Sequence, residues 1–296
     1  MVTGGIGSGK TFFSYHVAKT AFPDQQIFTI KSVTGGSASV SKFETSFLRA
    51  IEMQNISLFK AIREIPKGSI FILDNIEQWW HRGDQGNDVI KLIIDLVNKY
   101  SENYLFILNS NTEGLNALQL TTNIRDIIIG TVNLLPFSAE EIEAIITRRH
   151  KAGNMHICID NKNEKLLRPW HYAQLFLQYD KLTAGNIKSA LSTWLACIDK
   201  VENDTIFIHH PEAPKSLPFN ELTKQQIIFL VQFIIHNNMS YERMQAIYNR
   251  PISSLKQDVN VLIRLRLLEK KSENVIGINN ILYPFIIEEL NNIEMI

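Results

Sequence analysis

The clearest chemistry in the chain lies in its first residues. Gly4-Gly5-Ile6-Gly7-Ser8-Gly9-Lys10-Thr11 has the pattern G-x-x-x-x-G-K-T. Glycine-rich backbone can turn its N–H groups inward around phosphate oxygens, Lys10 is placed to reach the β- and γ-phosphates, and the Thr11 hydroxyl is a ligand for Mg²⁺. A helix starting at the same point adds positive potential. The expected ligand is a nucleoside triphosphate, with ATP and Mg²⁺ the leading choice.

Further candidates stand at the ends of apolar runs. Asp74 closes Ile70-Phe71-Ile72-Leu73, where a carboxylate can organise Mg²⁺ together with Thr11. The next residue is Asn75, at the place where many hydrolysing enzymes of this type carry the glutamate that activates water. An amide can orient water but cannot accept its proton. Glu77 either takes over that task or is a carboxylate at a helix start. Asn109, after Leu105 to Leu108, either holds the attacking water or γ-phosphate or caps a loop. Arg125 reads as a finger acting across a subunit interface or as a solvated arginine, and Lys188 as a nucleotide contact or an exposed lysine. Hydrolysis is therefore expected to be slow or partner-dependent. Trp79-Trp80 could stack on a base or a partner, but core and interface packing are the commoner uses of tryptophan. His209-His210 and His156/Cys158 offer at most two ligands each, too few for zinc.

These residues need a scaffold that brings strand ends to one edge. Helix-compatible Thr11 to Thr20 precedes a strand-like run, Gln26 to Ser32, and Thr34 to Ser39 is Gly/Ser-rich loop. Phe43 to Ile65 reads as helix up to the break at Pro66-Lys67-Gly68. Strand Ser69 to Leu73, helix Asp88 to Tyr100, strand Leu105 to Leu108 and strand Ile127 to Leu134 follow. This alternation predicts an α/β fold, a P-loop NTPase parallel sheet with helices on both faces over residues 1–135. A helical lid is expected over 136–200, opened by a Ser138/Glu141 capping box and interrupted by a hairpin near Met155 to Leu167. The proline-bearing stretch 201–220 reads as a linker with one apolar piece, Ile206 to Ile208. A second capping box, Thr223/Gln226, opens a unit over 221–296.

Only Val2 and Thr3 precede the P-loop as strand material. A central strand that short leads us to expect the downstream part of a longer protein. The chain has 296 residues, with 30 basic and 30 acidic side chains and 45% hydrophobic content. That is a globular composition with no global field drawing it to nucleic acid or to an anionic membrane. Cys158 and Cys197 show no paired spacing, which fits a reducing compartment, and no run approaches the roughly 20 apolar residues of a membrane span. A cytoplasmic location is expected, with membrane attachment only through an upstream region.

Taken together, the P-loop, Leu73-Asp74-Asn75-Ile76-Glu77, Asn109 and Leu135-Pro136-Phe137-Ser138 resemble AAA+ and related STAND-type ATPases, particularly the Orc1/Cdc6-like branch. Against the branch's tetrad of aspartate, glutamate, isoleucine and aspartate, Asn75 departs while Glu77 falls on the second acid. The resemblance implies that Asn109 is sensor 1, Arg125 a finger and Lys188 a sensor 2 equivalent where arginine is commoner. The region from Glu221 onward looks like a winged helix, with helices near Thr223 to His236, Tyr241 to Tyr248 and Ile252 to Leu268, then a turn and strand to Ile278. Such domains often bind DNA, but this one holds eight Lys/Arg against eight Asp/Glu. That balance favours a protein partner, self-association or autoinhibition over DNA. Arg148-Arg149-His150, Gly185-Asn186 and Trp194-Leu195 also look similar to ATPase regions of larger bacterial proteins with membrane-embedded upstream parts.

Overall fold

The computed structural model describes residues 1–32, 35–36, 38–83, 85–160 and 162–296. Thr34 and Ser37 of the expected Gly/Ser loop lie outside the described residues. The first stretch runs β1 (Val2–Gly4), α1 (Lys10–Ala21), β2 (Ile27–Ile30), α2 (Val40–Ala50), α3 (Leu58–Glu64), β3 (Ile70–Leu73), α4 (Asp88–Tyr100), β4 (Leu105–Asn111), α5 (Thr112–Thr121) and β5 (Val132–Asn133). The five strands form one sheet in the order β2-β3-β4-β1-β5, and every neighbouring pair is parallel. Although β1 has three residues, it pairs on both sides, Val2 with Asn109 of β4 and with Val132 of β5.

Strand alternation divides β3 between two cores. Phe71 and Leu73 join a cluster with Phe43 and Phe47 of α2, Ala61 and Ile62 of α3, and Ile90 and Ile93 of α4. Ile70 and Ile72 instead pack with Ala18 of α1. Helices thus cover both faces, and β3 is buried throughout, which is why its sequence reads as an unbroken apolar run.

Two expectations are corrected. The helix read over Phe43 to Ile65 is two helices, because Glu52 and Asn55 take positive φ (57° and 61°) and end the first. The strand read over Ile127 to Leu134 shrinks to β5, preceded by a 3-10 turn at Ile124–Ile127. Ile127 and Ile128 both pack against the first core while Ile129 is fully exposed at 102%, so the apolar run lacks the two-residue alternation of a half-buried strand.

The chain continues with α6 (Ala139–Ala152), β6 (His156–Ile159), β7 (Lys162–Asn163), α7 (Pro169–Thr183), α8 (Ile187–Ala196), β8 (Ile198–Glu202) and β9 (Thr205–Ile208). The Ser138/Glu141 capping box at α6 is present on both sides of the exchange. Where the sequence suggested helices, one hairpin and a linker, the structure has a four-stranded sheet in the order β7-β6-β9-β8. Parallel pairing of β9 with β6, His156 to Thr205 through Ile159 to Ile208, recruits the start of the expected linker. Local patterning could not show it, because it joins segments far apart in the chain.

Next come α9 (Lys224–His236), β10 (Asn238–Ser240), α10 (Tyr241–Tyr248), α11 (Ile252–Arg264), β11 (Leu268–Lys270), β12 (Val275–Ile278) and α12 (Tyr283–Asn292). The Thr223/Gln226 capping box opens α9, and β10-β12-β11 form an antiparallel sheet. We call α9 to β12 the C-terminal module. The structure divides into two compact units, one of Met1–Gly5, Gly9–Leu134 and Thr223–Ile278, the other of Ile6–Ser8, Leu135–Leu222 and Asn279–Ile296. Among the described residues no helix is long and apolar enough to cross a membrane.

Candidate functional site

The first unit gathers the polar residues found at strand ends. Gly9 has φ of +90°, a left-handed turn that glycine adopts without the penalty of a Cβ, and α1 starts at the next residue. Lys10 is buried, and its Nζ donates to the carbonyls of Gly4 at 3.0 Å and Gly5 at 2.8 Å. Desolvation lowers its pKa, opposed by the charges of Glu77, Asp74 and Glu113. One residue on, Thr11 Oγ1 donates toward both Asp74 carboxylate oxygens, each at 2.9 Å.

Asp74 is the hub of this cluster. Asn109, fully buried at the end region of β4, donates its amide to Asp74 Oδ1 at 3.0 Å and accepts from Ser14 Oγ at 2.6 Å. Ser14 lies four residues after Lys10, and therefore on the same face of α1. Asn75 donates to Asp74 Oδ2 at 3.2 Å and sits at φ 50°, ψ 58°. That left-handed conformation favours asparagine over glutamate, a local reason for the residue found here.

Glu77 points inward from the 3-10 turn Ile76–Trp79 and is 1% exposed. Burial pushes its carboxyl up to about 7, against the pull of the Lys10 charge. Asn111 donates to Glu77 Oε1 at 3.2 Å, while Oε2 is buried without a partner. Asn111 also donates to the Ile235 carbonyl at 2.8 Å and caps α5 through Gly114 N–H.

The C-terminal module is bound to the same turn. Arg243, fully buried, donates to the carbonyls of Gly36 (3.0 Å), Gln78 (2.6 Å) and Trp80 (2.7 Å). It also donates to His236 Nδ1 at 3.0 Å. His236 is buried, and desolvation with the Arg243 charge holds its pKa well below the usual imidazole range. Trp79 stands edge-on to Phe43 and Trp80 packs near His236, so both tryptophans serve packing.

In the second unit, Ile6–Ser8 sits with α8 and α12. Asn186 donates to the Ile6 carbonyl at 2.7 Å, and Ile6 N–H donates to the Tyr283 hydroxyl at 3.3 Å. A Cβ on Gly7 would come within 2.4 Å of Lys188 Cβ, in the first turn of α8.

The structure thus brings Thr11, Asp74, Asn75 and Asn109 into one hydrogen-bonded cluster, with Lys10 and Glu77 beside it. Arg125 is exposed and donates to Gln119 at 2.9 Å, apart from that cluster. Sequence reasoning passed over Ser14, Asn111, Arg243, His236 and Tyr283. Only Ser14 had a usable signal, its helical spacing from Lys10.

No family model matches the chain, and no curated protein does. Among solved structures, the Orc2 protein of Aeropyrum pernix, in complexes with ADPNP and ADP, is similar at 14% identity and a TM-score of 0.49, over 99% of this chain and 87% of that one. Cdc6p from Pyrobaculum aerophilum is similar at 12% identity and a TM-score of 0.40, over 100% and 88%. The Drosophila ORC bound to DNA is similar at 14% identity and a TM-score of 0.43, over 100% and 89%. The chain's own strand order, with a glycine-rich turn joining β1 to α1 and Asp74 closing the strand two places away, is the fold of the P-loop NTPases.

Proposed function

We propose that the chain is an ATP-binding regulatory ATPase, a nucleotide-dependent switch with slow or partner-stimulated hydrolysis. The observation that carries this reading is the contact of Thr11 Oγ1 with both oxygens of Asp74 at 2.9 Å, one residue from buried Lys10. Hydroxyl and carboxylate are hard oxygen donors that fit Mg²⁺, which holds a few protein ligands and takes the rest from water and phosphate. Thr11 and Asp74 would hold the ion, and it would supply neutralisation of phosphate charge. The backbone from Gly7 to Thr11 would cradle the phosphates, with Lys10 leaving the Gly4 and Gly5 carbonyls for phosphate oxygen.

Asn109 is then placed to orient water or γ-phosphate through an amide that Ser14 holds. Asn75 keeps Asp74 in position and cannot act as a base. Glu77 and Glu113 are the other carboxylates whose charges act on Lys10, and the tie of Glu77 through Asn111 to the end of α9 links it to the C-terminal module. We read that module as a winged helix used for protein interaction or for control of Glu77. DNA binding is the weaker reading, since Asp258 already pairs with Arg250 at 3.1 Å and Lys271 with Glu269.

Single-turnover ATP hydrolysis tests the proposal. Wild type should turn over slowly, and Glu77→Gln should lower the rate about 100-fold, the usual scale for losing a general base, with ATP affinity kept. Equal rates in the two proteins would remove Glu77 from the chemistry, and no turnover in wild type would favour a non-hydrolysing nucleotide-binding scaffold.

A further inference from the structure

A glycine-rich loop is costly to order, because glycine loses more backbone freedom than any other residue. Four of the eight residues from Gly4 to Thr11 are glycine. Affinity for a ligand gripped by such a loop depends on how much of that ordering is done in advance. Ile6 is an anchor suited to that task, because its side chain is buried and its main chain is held on both sides of its Cα.

On the carbonyl side the partner is Asn186, the N-cap of α8. Its Oδ1 accepts from Ser189 N–H at 3.0 Å while its Nδ2 donates to the Ile6 carbonyl at 2.7 Å. The turn leading into this cap leaves little freedom. Ala184 and Gly185 take φ of 47° and 67°, Phe137 N–H donates to the Gly185 carbonyl at 2.9 Å, and a Cβ at Gly185 would lie 2.5 Å from Pro136 Cβ. On the amide side the partner is the hydroxyl of Tyr283, buried at 9% in the first turn of α12.

We propose that Asn186 and Tyr283 are positioning residues for nucleotide, gripping Ile6 from opposite sides so that the P-loop is set in its binding shape before the ligand arrives. Helix α12, which follows the C-terminal module, thereby belongs to the nucleotide-binding apparatus. This inference rests on the nucleotide reading above and assigns that site two residues that do not themselves touch phosphate.

Calorimetric titration of the full chain with ATP and Mg²⁺ provides the test. Asn186→Ser and Asn186→Asp both keep an acceptor for the α8 cap; the Asp carboxylate has no donor for the Ile6 carbonyl, and the Ser hydroxyl ends one bond short of the Nδ2 that reaches it. Tyr283→Phe keeps the ring and loses the hydroxyl. Each variant should weaken ATP binding about three- to tenfold, the scale of one hydrogen bond. Asn186→Ser with Tyr283→Phe should weaken it by less than the product of the single effects, because both act on one residue. The thermal midpoint without nucleotide should stay near that of wild type, which separates positioning from general destabilisation. Affinities within twofold of wild type in both Asn186→Ser and Tyr283→Phe, with binding still lost in Lys10→Ala, would overturn the inference and leave the nucleotide reading standing. Binding that survives Lys10→Ala would overturn the nucleotide reading, and the inference with it.

Discussion

Two buried polar clusters lie in the same compact unit and are built on opposite plans. Around Asp74, side chains meet side chains: Thr11, Asn75, Asn109 and Ser14 are linked at 2.6 to 3.2 Å. Around Arg243, one side chain meets main chain, donating to three carbonyls of the core at 2.6 to 3.0 Å. The first plan uses residue types whose chemistry is visible wherever they occur. The second uses carbonyls that every residue possesses, so nothing in Gly36, Gln78 or Trp80 announces a partner. Sequence reading therefore finds the first cluster and misses the second.

The comparison predicts that the second cluster matters more for stability. Arg243→Met would leave three core carbonyls without their donor and should cost about 3–5 kcal/mol, the range for breaking a buried charged network. Chemical denaturation measures this. A loss under about 1 kcal/mol would show that docking of the C-terminal module rests on apolar contacts instead.

The Glu77 charge acts on Lys10 beside the first cluster and on Arg243 in the second, and its pH dependence has a definite sign. Its carboxyl is raised from 4.5 to about 7 by burial, so the folded state holds the proton more tightly than the unfolded chain. The stability this contributes is fully present below pH 4.5 and is lost as pH rises through about 7, the loss amounting to roughly 3 kcal/mol above that point. Glu77→Gln should remove this loss and be the more stable protein at pH 8. Parallel stability profiles for wild type and Glu77→Gln would mean that the carboxylate is solvated or paired in its charged form.

The same contrast explains how far the sequence could be read. The parallel sheet was legible because Ile70 to Leu73 is apolar on both faces and ends on Asp74. The capping boxes at Ser138 and Thr223 were legible because each is complete within four residues. The division between α2 and α3 was hidden, since the chain turns at positive φ on Glu52 and Asn55 with no glycine or proline there to mark the break. The sheet β7-β6-β9-β8 was hidden because His156–Ile159 meets Thr205–Ile208 across a long connection. In the site, Lys10, Thr11 and Asp74 could be named from motif and strand end. Asn111 carries no motif in the sequence, and its amide lies between Glu77 and the end of α9.

The central claim is that Gly4 to Thr11 binds ATP with Mg²⁺ through Lys10. Its most direct test is equilibrium titration of wild type and Lys10→Ala with ATP and Mg²⁺, with folding verified by circular dichroism. Wild type should show saturable one-to-one binding, and Lys10→Ala at least about a 100-fold loss, as expected on removing a charge-assisted phosphate contact. ATP affinity unchanged in a folded Lys10→Ala protein would contradict it.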